Sequence, residues 1–163
     1  MRFSLLTAVA ALASSATAIP RVKLFKAFPT AGGVNYTWSV TNWEAGLTRS
    51  GGHYGFNVTG EAKTTGNQVP AFSAYCSGYE QPQDYTPCTL YGGRPGQEVA
   101  AKLLPANTTT DPGAHLAVSF EFPDVNEVNM WWNYTAYTTK PYNQVSAPPM
   151  NFTVIPSEIY GVA

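Results

Sequence analysis

Val34-Asn35-Tyr36-Thr37-Trp38-Ser39-Val40-Thr41 decides the fold. Apolar and polar residues alternate along it. A period of two places successive side chains on opposite faces of a strand. Tyr36, Trp38 and Val40 therefore share an inward face, and Asn35, Thr37, Ser39 and Thr41 an outward one. The rhythm returns in Tyr54-Gly55-Phe56-Asn57-Val58-Thr59 and in Phe72-Ser73-Ala74-Tyr75-Cys76. It returns again in Leu116-Ala117-Val118-Ser119-Phe120-Glu121-Phe122. Residues 42–53, with Gly46, Gly51 and Gly52, read as a loop. Residues 97–104 read as a strand, and 128–138 as the longest candidate strand. Phe152 and Val154 close the set before Pro156.

Thirteen prolines and fourteen glycines cut the 163-residue chain into short strands. No segment carries a capped 3.6-residue period. These features predict an all-β single domain, a compact antiparallel β-barrel or sandwich. Tyr36, Trp38, Val40, Phe56, Val58, Val118, Phe120, Trp132 and Phe152 are the expected inward set.

The same alternation runs through the N-glycosylation sequons that begin at Asn35, Asn57, Asn107, Asn133 and Asn151. Such acceptors matter only in a secreted chain. In four of them the middle residue is apolar: Tyr36, Val58, Tyr134 and Phe152. On a strand that residue faces the core while Asn and Thr face water. The N-terminus agrees on compartment. Arg2, the apolar run from Leu5 to Leu12 and Ala16-Thr17-Ala18 read as a signal peptide over residues 1–18. Residues 19–30, with Arg21, Lys23 and Lys26, are expected to be a solvated arm, and 31–163 the β domain. No stretch suits a membrane span. Nine basic residues against ten acidic give a net charge of −1, which argues against a nucleic-acid ligand.

An even cysteine count in a secreted chain implies a bridge, here Cys76 to Cys88. It should be a buried link between neighbouring strands, stabilising the fold by roughly 3 kcal/mol. A metal site would need more ligands than His53 and His115 provide, so neither a metal nor a cofactor is expected. Catalytic constellations are absent too. Nothing pairs either histidine with a nucleophile. Glu121, Asp124 and Glu127 read as a polar turn rather than a glycosidase pair.

Tyr36-Thr37-Trp38-Ser39-Val40, Tyr54-Gly55-Phe56-Asn57-Val58, Phe72-Ser73-Ala74-Tyr75-Cys76-Ser77-Gly78 and Tyr85-Thr86-Pro87-Cys88 follow in order. Over residues 34–90 this resembles the Alternaria allergen 1-like family of fungal secreted proteins. The resemblance implies a small β-barrel with Cys76 and Cys88 as the family's first bridge. The second bridge and the cysteine of a covalent dimer have no counterpart here. It also implies a non-enzymatic effector, elicitor or allergen that binds a host extracellular protein or a small phenolic ligand. The rivals are a carbohydrate-binding or cell-wall protein and a cryptic hydrolase. Strands free of sequons suggest where a partner docks: Tyr75, Tyr91, Arg94 and Lys102, with Trp131 as the next candidate. Tyrosine and arginine are common interface anchors.

Overall fold

The computed structural model describes residues 24–27, 36–82, 84–105, 113–143 and 148–162. The expected signal peptide, Asn35 and Asn107 lie outside the described residues. The described chain is all β. Its strands are β1 (Leu24–Ala27), β2 (Trp38–Thr48), β3 (Gly51–Gly60), β4 (Phe72–Tyr79), β5 (Thr86–Pro87) and β6 (Thr89–Leu90). β7 (Glu98–Leu104), β8 (Ala114–Pro123), β9 (Trp131–Lys140), β10 (Met150–Val154) and β11 (Pro156–Val162) follow. Two antiparallel sheets stack as a sandwich. One has the order β1-β11-β9-β8-β7-β5 and the other β10-β2-β3-β4-β6. The sheets are not closed into a barrel, so sandwich is the correct half of the expectation.

Alternation builds the core. Trp38, Val40, Phe56, Val58, Phe72 and Ala74 face Val118, Phe120, Phe122 and Tyr134, all buried. Phe72 stacks on Phe120 at 4.1 Å, and Phe120 on Phe122 at 4.9 Å. Trp38 meets Phe72 edge-on at 5.4 Å. Trp132 and Phe152 are only half-buried at the margin of this core, because each lies near a sheet end.

Four other boundaries move. Residues 42–53 are not a loop, for β2 continues to Thr48 and β3 starts at Gly51. The cause is a bulge: between Thr41 and Glu44, two residues of β2 oppose one of β3. Asn42, at φ 55°, absorbs it, and its N–H donates to Asn151 Oδ1 at 3.0 Å. The inward phase switches there, so Trp43 and Ala45 become core. Val128 and Asn129 belong to a turn, and β9 begins at Trp131. Pro156 opens β11 instead of ending the set; the first residue of a strand can lack an N–H. Residues 24–27 of the expected arm form β1, paired along β11.

Cys76 and Cys88 form the expected disulfide. Cys76 is buried, but Cys88 is only half-buried and lies between β5 and β6 rather than on a strand.

Candidate functional site

The 76–88 loop builds a broad concavity. β4 pairs with β6 only at Ala74 and Tyr75, so the β4 edge past Cys76 is left open. The chain turns at Glu80, passes a cis Gln81–Pro82 peptide and returns as β5, now in the other sheet. Between that edge and the return lies a groove of about 530 Å³. Its aromatic walls are Tyr54 and Tyr79, with Pro82 beside them. Its polar groups are Thr48, His53, Ser77, Gln81 and Thr86. The disulfide closes the loop that carries the outer wall, 12 residues apart in sequence.

Tyr54 is the floor. Its hydroxyl donates to the Ala101 carbonyl of β7 at 2.8 Å. Burial pushes its pKa up to about 12, with a hydrogen bond to Thr86 opposing the rise. Gly78 makes room for the ring, since a Cβ there would lie 2.7 Å from the Tyr54 hydroxyl. Glu80 ties the turn to β3. Its Oε2 accepts the Gly52 N–H at 2.8 Å, and its own N–H donates to the Gly52 carbonyl at 2.8 Å.

The groove has the dimensions and lining of a place to hold a small molecule. Its volume falls in the range of ligand sites, roughly 300–1,000 Å³, and so does its mix of rings and a few polar groups. His53 pairs with Tyr79, and Ser77 with Gly55, on the outer face of the sheet. Glu80, the nearest carboxylate in sequence, is spent on Gly52. Among the described residues, no hydrogen bond links Ser77, His53 and a carboxylate in series.

The residues expected to bind a partner do not form one surface. Tyr75 lies on the outer face of the five-stranded sheet, over Gly55. Lys102 and Trp131 lie on the outer face of the six-stranded sheet. Tyr91 and Arg94 sit in the turn between β6 and β7. None of the five lines the groove. Nor is the face of Tyr75 free of sequons, because Asn57 is its register partner.

The outer face of the six-stranded sheet carries its own network. Lys102 Nζ sits 4.3 Å from the Tyr85 ring centroid. Tyr85 reaches across to Tyr137 and Thr135, and burial raises its pKa against those hydrogen bonds. Ala117, between Lys102 and Tyr137 in the register, is fully buried by this crossing. Tyr137 donates to Glu158 Oε2 at 3.0 Å. Its own pKa rises through burial and then through that carboxylate. The acidic run is a turn: Asp124 Oδ1 accepts the N–H groups of Asn126 and Glu127, and Oδ2 accepts Trp132 Nε1–H at 2.6 Å. His115 Nδ1 contacts Thr139 Oγ1 at 3.0 Å. No cluster of three metal-ligating side chains occurs among the described residues.

The reading of the sequence missed Thr48, Tyr79, Gln81, Pro82 and Thr86. The only local signal was Gly78-Tyr79 followed by Pro82, a chain break next to a cysteine. Compared with family models, curated proteins and solved structures, the chain matches none of them.

Proposed function

We propose that this is a secreted, non-enzymatic binding protein that holds a small planar phenolic ligand in the Tyr54–Tyr79 groove. The observation that carries the reading is the groove itself: two tyrosines and five uncharged polar groups or imidazole on a loop closed by a disulfide. Rings stack on Tyr79, and ligand hydroxyls bond to Ser77, Gln81 and Thr86. The disulfide supports an oxidising compartment. No helix among the described residues is long and apolar enough to cross a membrane. The resemblance to Alternaria allergen 1-like proteins supports action as an effector or elicitor on a host. A host extracellular protein is the second reading, favoured by Tyr79, which is 73% exposed at the groove rim.

Calorimetric titration with 4-hydroxycinnamate tests the first reading. Saturable one-site binding is expected, weakened about tenfold by Tyr79→Ala and unchanged by Tyr75→Ala. No heat, or equal loss from Tyr75→Ala, overturns it.

A further inference from the structure

β9 sets Trp131 and Asn133 two residues apart on the outer face of the six-stranded sheet. Glu121 of β8 lies opposite Asn133. Asn133 Oδ1 accepts Ser119 Oγ at 3.0 Å and Thr135 Oγ1 at 3.1 Å. These bonds turn the amide so that Nδ2 points away from both hydroxyls. No hydrogen bond among the described residues uses Nδ2. Beside it is a groove of about 230 Å³ lined by Glu121, Trp131, Trp132 and Asn133. The Trp131 ring is backed by Gly96, where a Cβ would lie 2.7 Å from Cη2. It is held in place, yet 37% of the residue stays exposed.

We propose that this groove seats the first sugar of an N-linked glycan on Asn133, with Trp131 as its stacking platform. The inference rests on the extracellular reading above. N-acetylglucosamine offers a C–H face to the indole and hydroxyls to the Glu121 carboxylate, which has no partner among the described residues. Transfer forms a bond between Asn133 Nδ2 and sugar C1, breaks the C1–oxygen bond to the lipid pyrophosphate donor and releases one Nδ2 proton. It occurs on the extended chain, before Thr135 is buried. Oδ1 keeps both of its hydrogen bonds, so the modification costs the fold none of them. The other sequons lack this platform: Gly33, Gly55, Pro105 and Pro149 stand two residues before their asparagines. The sugar therefore covers Trp131, which is a covered ring and not a partner anchor.

The protein should be produced in a eukaryotic secretion host, and site occupancy read by peptide mass spectrometry. Melting is then compared for the full glycoform, a form trimmed to one sugar by an endoglycosidase, and a form stripped by an amidase. Trimming should leave the melting temperature unchanged, and stripping should lower it by about 3 °C. Trp131→Ala should shrink that difference to the part that comes from converting asparagine to aspartate, which both backgrounds share. Trp131→Phe should retain the full difference. An unmodified Asn133 in protein whose Asn57 or Asn151 is occupied overturns the inference, as does an equal loss on stripping in Trp131→Ala. Failure of export overturns the extracellular reading as well, which separates the two.

Discussion

At the scale of single residues, the groove floor depends on what Gly78 lacks. A Cβ there would lie 2.7 Å from the Tyr54 hydroxyl and 2.9 Å from Cζ, atoms on the rigid end of a ring. Gly78→Ala should cost about 1–3 kcal/mol, read as a lower urea midpoint, and should weaken ligand binding as Tyr54 moves. Tyr36 and Tyr54 give a second prediction. Burial pushes both up to about 12, for Tyr54 against a hydrogen bond to Thr86. Their unfolded value is near 10. The neutral form is the folded one, so this stability is complete below about pH 10 and is lost as pH rises toward about 12. Urea midpoints should match at pH 7 and 9 and fall at pH 11. Asp124 acts at the other end. Burial opposes its ionisation, but bonds from Trp132, Asn126 and Glu127 hold its carboxyl below the usual range. That contribution is present above about pH 4 and is lost as pH falls.

At the scale of elements, two devices replace strand pairing. The first is Asn143, 6% exposed. Its Oδ1 accepts the Ala45 N–H at 2.8 Å, its Nδ2 donates to the Trp43 carbonyl at 2.8 Å, and its N–H donates to the Ala45 carbonyl at 3.0 Å. It satisfies the β2 edge past the bulge, where β10 has ended. Asn143→Ala should cost about 1–3 kcal/mol, because it strands buried backbone groups. The second is the disulfide, which pins the crossing from one sheet to the other. The double substitution Cys76→Ser with Cys88→Ser should lose roughly 3 kcal/mol, measured by denaturation, and should loosen the groove wall. Sequence showed the strands through Thr41 because alternation there is unbroken. It failed at Asn42 because the bulge depends on Asn151, 109 residues away. β1 escaped for the same reason, since its partner is β11. Tyr75, Lys102 and Trp131 were correctly read as outward. Alternation fixes a side chain's face but not the sheet to which its strand belongs, so three residues from opposite sheets looked like one surface. The groove was illegible because its wall is a loop between sheets with no period of its own.

At the scale of the whole molecule, the two sheets are held together by rings. Trp38 and Phe72 from one meet Phe120 from the other. Trp38→Ala should open a cavity worth about 3–5 kcal/mol, a large share of the roughly 5–15 kcal/mol that stabilises a domain. This interior keeps the outer faces and the loop 76–88 in fixed relation, which is what a preformed binding groove requires. The most direct test of the account is a map of amide chemical shifts as 4-hydroxycinnamate is titrated into the isotopically labelled protein. The account predicts saturable shifts concentrated at Thr48, His53, Ser77, Tyr79, Gln81 and Thr86. Shifts centred on Tyr75, Tyr137 or Trp131, or none at all, would contradict it.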